Sequence, residues 1–556
     1  MYLIENPVLQ RELLVNLRMK RAFVLLLIYI ALLGVVVYVA WPTQSRLDLT
    51  RRPQEASRLA DLFFLGQYAL LSLMVPSFAA GTITGEKERQ TYEMLLASPM
   101  RPGAVALGKL LAALCHLAVL VFCSLPIVML CLPLGGVSPY EVLATYCGMA
   151  ACVTFFGMIC VAASSYFTRT IAALVVSYMV ILPLTLVGVL FYAQTSGFWR
   201  LVMIGGVLPI GCLAGSVALL TATSRRLLHP SDVGAEGRDV VDPDFEQKMA
   251  VGMVIRSDQF PDKLFAPTNR NDLMADGVNP IFDKEMRSEL FGQGTLMLRL
   301  VIQLSMLLAL PLMAVCLYIK PVWAPWYTCY IVLFNVLVGP VFSAGSVTSE
   351  HERQTLELLL TTTVSPWQIL GAKLISGLRV SCVLTAFILW PLLLAWLLPP
   401  WTYRFDTLTI LRYFVIVALT ALTTTMLAMF CSVIFSRTSV SMMATYAILL
   451  LLYAAPVAAW IFAQEFSPSV RALVSGQITT GWNSPFTWLQ WFTATSPLAA
   501  TFSLPLTFGD MQNQPTGAGF WWQHAASAFI AFYVLLDAFL LGTMLWLFHR
   551  RWRVWY

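Results

Sequence analysis

Gly81-Thr-Ile-Thr-Gly-Glu-Lys-Glu-Arg-Gln-Thr-Tyr-Glu-Met-Leu-Leu96 returns later in the chain as Gly345-Ser-Val-Thr-Ser-Glu-His-Glu-Arg-Gln-Thr-Leu-Glu-Leu-Leu-Leu360. The two stretches align without gaps. Agreement extends to Pro76 and Pro340 upstream, and to Pro102/Pro366 and Lys109/Lys373 downstream. A second match joins Asn6-Pro7-Val8-Leu9 with Arg11-Glu12 to Asn279-Pro280-Ile281-Phe282 with Lys284-Glu285. A third joins Phe167, Arg169, Thr170 and Tyr178 to Phe435, Arg437, Thr438 and Tyr446. Three blocks in the same order at nearly constant spacing define a tandem duplication, and a duplication fixes the architecture before any single element is read.

The material between the blocks is apolar. Of 556 residues, 58% are hydrophobic and 12% charged, too few charges to solvate a globular surface of this size. Runs of about 20 apolar residues match the roughly 30 Å of hydrocarbon in a bilayer. They predict an all-α polytopic membrane protein of about twelve spans in two tandem six-helix repeats. The first six fall at about 22–41, 62–83, 104–132, 141–166, 171–193 and 199–222. The second six fall at about 296–318, 326–348, 372–398, 408–435, 440–463 and 526–548. The expected domains are therefore a first unit at 1–222, a polar, acid-rich linker at 223–278 and a second unit at 279–556. Six spans per unit is even, so both copies enter the membrane in the same orientation.

Arg11, Arg18, Lys20 and Arg21, then Lys87, Arg89 and Arg101, then Arg169, Arg225, Arg226 and the closing His549-Arg-Arg-Trp-Arg553 all fall on one side of this topology. The positive-inside bias makes that side cytoplasmic, with both termini there. The loop holding Arg46, Arg51, Arg52 and Arg58 dissents, accompanied by Asp48, Glu55 and Asp61. The first apolar run, Ala22 to Trp41, is preceded by a polar, charged segment and lacks a small-residue cleavage site, unlike a signal peptide. A net charge of +6 without a basic tract argues against a nucleic-acid partner. The 11 cysteines and five histidines show no metal-ligand spacing, and no cofactor or metal is expected. No paired carboxylates, Ser-His-Asp set or His cluster is placed for catalysis.

The Asn-Pro blocks read as amphipathic helices: Asn is a favoured N-cap and Pro a favoured first helical residue. Val8, Leu9, Leu13 and Leu17 in one copy, and Ile281, Phe282, Met286 and Leu290 in the other, make faces suited to the inner membrane surface. The Glu-Arg-Gln-Thr block lies between spans 2 and 3, on the cytoplasmic side. Its Tyr92, Leu95 and Leu96 share a helical face, with Glu86, Glu88, Arg89, Gln90 and Glu93 around the rest. Ser349-x-x-Glu352 has the form of a capping box, and Gly85-x-x-Glu88 is a weaker version, so both glutamates have a local explanation as caps of their own helices. That explanation does not account for the retention of the whole block in both copies, which favours a shared docking partner.

At these residues the chain resembles the ABC-2 type permeases of ATP-binding cassette transporters: Glu-x-Glu-Arg-x-Thr-x-Glu-x-Leu-Leu, then Pro, then Gly-Lys at the next span. The Asn-Pro…Arg-Glu opening resembles the branch that includes multicopper-enzyme maturation permeases. The chain departs where the family often has Gly, at Gln90 and Gln354, which would leave the helix uninterrupted; Lys373 also follows Ala372 in place of Gly. The resemblance implies a six-span unit that works in pairs, both supplied here by one chain. It implies ATPase coupling through Glu86, Glu88, Arg89, Gln90, Thr91, Glu93, Glu350, Glu352, Arg353, Gln354, Thr355 and Glu357. The implied partner is a separate ATPase subunit in two copies, and the implied activity is export of an unidentified substrate across the cell membrane, without enzymatic activity in this chain. Gly103 to Leu110 imitates a phosphate-binding loop. It lacks the Ser/Thr, follows no strand and opens a span, so it carries no nucleotide.

Asp537 stands in the middle of span 12, where a carboxylate costs several kcal/mol unless paired or wet. It is the candidate for the translocation path, with a structural bond to Asn335 or Arg379 as the plain alternative. Span 6 has no equivalent. The loop at 464–525 is likewise long only in the second half, and its Trp482, Trp488, Trp491, Trp521 and Trp522 suit a membrane-edge aromatic belt. An ion-gradient-driven transporter with six-plus-six repeats is the competing function. It would need paired ionisable groups at mid-span, and only Asp537 qualifies.

Overall fold

The computed structural model describes residues 7, 9–11, 53–88, 91–97, 100–131, 138–167, 170–195, 197–228, 279–282, 284, 303–304, 307–319, 323–352, 354–362, 364–397, 407–466, 487–502 and 521–551. The chain forms two compact units, Met1–Val240 and Val241–Tyr556. Among the described residues there is no strand. That is the expected result for apolar runs in lipid, where every backbone N–H and C=O must be satisfied within its own segment.

Among the described residues, ten helices are long and apolar enough to cross a membrane, five in each unit. They coincide with ten of the twelve expected spans. The run at 22–41 lies outside the described residues, and the run at 296–318 is described in part, as the apolar helix Leu307–Ile319. The stretch 229–278, most of the expected linker, also lies outside them, while 223–228 is helical.

In the first unit the order is α1 (Pro53–Ala79), α2 (Gly81–Glu88), α3 (Tyr92–Leu96), α4 (Pro102–Cys131), α5 (Pro139–Tyr166), α6 (Thr170–Gln194), α7 (Gly197–Val202) and α8 (Leu208–Leu228). Helices α7 and α8 are joined by a π-turn at Met203–Val207. Helix α5 starts at a capping box: Ser138 Oγ accepts from Glu141 N at 3.2 Å, and Glu141 Oε2 accepts from Ser138 N at 3.2 Å, with Pro139 first in the helix. At the end far from α2, Asp61 bonds Arg200 at 3.0 Å and accepts from Tyr192 Oη at 2.8 Å.

In the second unit α9 is Leu307–Ile319. Then come α10 (Ala324–Ser343), α11 (Thr348–Glu352), α12 (Leu356–Leu360), α13 (Pro366–Leu397), α14 (Thr407–Ile434), α15 (Thr438–Leu449), α16 (Ala455–Phe466), α17 (Thr487–Ala494), α18 (Pro497–Phe502) and α19 (Trp521–Arg551). A π-turn at Leu450–Ala454 joins α15 to α16.

Positions 264 apart correspond at the first block (Gly81, Gly345) and 268 apart at the third (Phe167, Phe435). The four extra residues fall away from the repeated blocks: α13 has 32 residues where α4 has 30, and the stretch 398–406 is two residues longer than 132–138.

Both units carry a proline at the same place in the same helix. Pro76 in α1 and Pro340 in α10 have no N–H to donate, so the carbonyls four residues back, of Ser72 and Val336, lose their usual helical donor. A tyrosine from the neighbouring helix donates to the carbonyl next along. Tyr178 Oη donates to Leu73 O at 2.9 Å, and Tyr446 Oη to Leu337 O at 2.6 Å. These are the two tyrosines of the third repeated block.

The interiors differ. Asn335 is buried and donates to Thr385 Oγ1 at 2.8 Å while accepting from Thr424 Oγ1 at 3.1 Å. The first unit has its own polar group, Gln67 with Ser124 (2.7 Å) and Tyr146, at other positions.

The expected aromatic loop contains two described helices, α17 and α18, which fold back onto their own unit. Tyr413 Oη donates to Thr501 O at 3.3 Å, Tyr533 Oη to Thr495 O at 2.5 Å, and Ser496 Oγ to Tyr453 O at 2.6 Å. The last acceptor lies in the π-turn, which frees a carbonyl that a regular helix would use. Trp491 faces outward, 52% exposed, as a membrane-edge tryptophan would. Trp482 lies outside the described residues, as do the side chains of Trp488, Trp521 and Trp522.

Candidate functional site

The Glu-Arg-Gln-Thr block folds into the same small structure in each unit. It is not one amphipathic helix. In the second copy α11 stops at Glu352 and α12 starts at Leu356, and Gln354 between them takes φ 57°. The expectation of an uninterrupted helix is thus corrected. The backbone turns left-handed at the position where the related permeases often carry glycine, the residue that adopts this geometry without a Cβ penalty. Replacing Gln354 with Gly should raise stability by about 0.5–1 kcal/mol, read as a higher apparent Tm of the purified chain. A lower Tm would contradict the left-handed turn. In the first copy α2 and α3 are likewise separate, while Arg89, Gln90 and Arg353 lie outside the described residues.

The break is closed by the first glutamate and the threonine. Thr91 N donates to Glu86 O, and Thr355 N to Glu350 O, both at 2.9 Å. The hydroxyls of Thr91 and Thr355 donate to the Oε2 atoms of the same glutamates. The Oε1 atoms receive a buried lysine from the next span. Lys109 Nζ is 3.2 Å from Glu86 Oε1, and Lys373 Nζ is 3.5 Å from Glu350 Oε1. These lysines are 2% and 3% exposed, so a carboxylate beside them is an electrostatic necessity. The residue that imitated a phosphate-loop lysine is the partner of Glu86.

Glu350 also bonds Lys284 at 2.9 Å, which ties the Asn-Pro block to the same point, and Arg11 is an electrostatic neighbour of Glu86. Asn279 caps as expected, accepting from Ile281 N at 3.1 Å. Ile281 does not lie on the membrane surface. It is 5% exposed, within the buried cluster that includes Val347, Leu356, Ile369 and Leu370. Leu13, Leu17, Met286 and Leu290 lie outside the described residues.

The second glutamate does not cap its own helix. Glu88 Oε1 accepts from Thr170 N at 2.7 Å, and Glu352 Oε1 from Thr438 N at 2.9 Å, with Thr438 Oγ1 on Oε2 at 2.9 Å. Each carboxylate therefore caps the first turn of the helix that follows α5 or α14, where orphan N–H groups and the helix dipole favour negative charge. Gly81 and Gly345 face these same threonines. A Cβ on either would lie 3.3 Å from Thr170 Cγ2 or Thr438 Cγ2, which leaves no slack for a larger residue.

Two further residues complete the joint. Ser164 Oγ accepts from Ile83 N (3.0 Å) and Thr84 N (2.9 Å). Ser432 Oγ accepts from Val347 N (2.9 Å) and Thr348 N (3.0 Å). The sequence reading missed both, although extending the third match three residues upstream reaches them. The residue between the two glutamates adds a further contact in the first copy. Lys87 Nζ donates to the carbonyls of Ser164, Ser165 and Phe167, closing the C-terminus of α5; His351 stands at the corresponding position of the second copy.

What remains outward is short and equivalent in both copies. Tyr92 and Leu356 are buried, while the residues two positions on, Met94 and Leu358, are 78% and 69% exposed. Glu93 and Glu357 beside them are exposed as well. Each unit thus holds an exposed apolar side chain and an exposed carboxylate on a helix fixed from behind by ion pairs and caps.

The two repeated units are those of a permease of the ABC-2 type. A family profile described as ABC-2 family transporter protein matches residues 7–206 and 212–551, and the chain belongs to that family. It is a fused two-unit form, a multi-pass membrane protein and a transport subunit of a family that usually works with a separate ATP-binding subunit. No curated protein and no solved structure matches the chain.

Proposed function

We propose that the chain is the membrane-spanning permease subunit of an ATP-driven exporter, embedded in the cell membrane with both termini cytoplasmic. Its units, at 1–222 and 279–556, are joined by the linker between them. Two copies of a separate ATPase dock on the two joints, and their closure on ATP moves the spans that the joints connect.

The observation that carries this reading is the equivalence of the exposed pairs Glu93–Met94 and Glu357–Leu358, each held on a rigid mount. A large apolar side chain left in water at the same place in both copies is the pattern of a small hydrophobic anchor with a charged rim. Within the block, Glu93 and Glu357 contact the partner. Glu86, Glu88, Thr91, Glu350, Glu352 and Thr355 hold the mount and act through it.

The test is copurification. A tagged chain isolated from its native membrane in mild detergent should bring an ATPase subunit with it. Replacing Met94 and Leu358 together with Asp should reduce that recovery about tenfold or more, since two buried anchors cost at least 1.4 kcal/mol. Neither change alters a contact within the joint. Undiminished recovery would remove these residues from the interface, and absence of any ATPase from the wild-type preparation would sink the reading.

A further inference from the structure

The second unit contains a carboxylate that the repeated joint does not use. Asp537 lies at the middle of the apolar stretch Ser527–Leu547 of α19 and is 5% exposed. Neither of its carboxylate oxygens has a hydrogen-bond partner among the described residues. Asn335, the expected structural partner, is engaged with Ser381, Thr385 and Thr424. Among the described residues, the titratable groups that sense the Asp537 carboxyl are phenols: Tyr453 of the π-turn and Tyr533 one turn back on α19. Both are committed elsewhere, Tyr453 with Thr423 Oγ1 at 2.8 Å and Tyr533 with the Thr495 carbonyl.

The surroundings are aromatic. The rings of Tyr453 and Tyr533 meet edge to face at 6.0 Å, and Phe529 lies 4.5 Å from Tyr533. The end of the site away from the joint is closed by the α17–α18 hairpin, through Tyr533 on Thr495 and Ser496 on Tyr453.

A buried carboxylate without a partner cannot stay ionised at that depth. It holds a proton, or it meets a cation. The aromatic faces beside it add a second feature that suits a cation, through ring quadrupoles. The first unit offers nothing comparable at the corresponding place.

We propose that Asp537 is the recognition group for a hydrophobic cation carried by the exporter, and that it exchanges its proton for that cation. With no cation beside it, the carboxyl holds its proton. When the cation enters, the O–H bond breaks, the proton leaves to water, and the carboxylate pairs with the ligand's positive charge. The proposal rests on the exporter reading and adds the substrate class to it.

The experiment uses the full chain in detergent with tetraphenylphosphonium as probe and tetraphenylborate, of the same shape and opposite charge, as comparison. The wild type should bind the phosphonium and release about one proton per cation in weakly buffered solution. Asp537→Asn should weaken that binding about tenfold or more and abolish the proton release. It should leave tetraphenylborate binding undiminished. Because Asn resembles the neutral carboxyl, the apparent Tm of the variant should stay level or rise. Failure of the wild type to bind the phosphonium, binding without proton release, or equal binding by Asp537→Asn would each overturn the proposal. So would a Tm drop of several degrees in the variant, which would mark Asp537 as a structural ion-pair partner. ATPase copurification reports on the exporter reading independently of all four results.

Discussion

Glu350→Gln should destabilise the chain by about 3 kcal/mol, the lower end of the cost of stripping one partner from a buried ion pair. Lys373 is 3% exposed and would lose the carboxylate that it pairs with. The lower end applies because Glu350 itself retains 12% exposure and some water. Glu86→Gln should behave similarly through Lys109, which is 2% exposed. The control is the double variant Glu350→Leu with Lys373→Met. Removing both charges together should recover much of the loss, since a well-packed apolar pair often matches a buried salt bridge. Apparent unfolding temperatures and denaturant midpoints of the detergent-solubilised proteins read both effects. If the single variant melts with the wild type, Glu350 and Lys373 do not pair in the folded chain.

Ser432→Ala should be nearly as costly. Its hydroxyl oxygen accepts from two backbone amides, Val347 and Thr348, which are 2% and 0% exposed. An orphaned buried donor costs about 1–3 kcal/mol, so two give about 2–6 kcal/mol before any relaxation. Ser432→Thr keeps the oxygen and should lose much less. Hydrogen exchange at residues 347–348 separates local from global damage. The alanine variant should speed exchange there even at temperatures where the rest of the chain is protected. Unchanged exchange would mean that another acceptor serves these amides.

The spans and the duplication were legible because hydropathy and repetition are local properties of a string. The helices at 139–166 and 366–397 lie within a few residues of where apolar length alone puts them. The Asn279 cap was legible for the same reason, since Asn-Pro acts on its own backbone. What Glu88 and Glu352 do was not, because their partners lie 82 and 86 residues away. A carboxylate three residues after a serine resembles a capping box whichever helix it caps. The only trace was that Thr170 and Thr438 were retained along with the glutamates. Gln354 misled in the opposite sense. Glutamine favours helix and glycine does not, so propensity argued for continuity. The Glu350–Thr355 closure and the lysine pair impose the left-handed turn regardless. Asp537 was found from its sequence position, but its isolation from Asn335 required the packing of α10, α13 and α14.

The prolines in α1 and α10 have a mechanical consequence for the proposed cycle. Each would make its long helix a lever whose short arm ends at the joint and whose fulcrum is the proline. The tyrosine bond beside it would act as a pawl. A hydrogen bond of this kind contributes about 1 kcal/mol net, so a five-fold shift in population is enough to lift it. Force applied at the joint would therefore be spent on swinging the long arm and not on breaking the pivot. Two such levers in one chain, cut to nearly the same pattern, would set a common stroke for two units with different interiors.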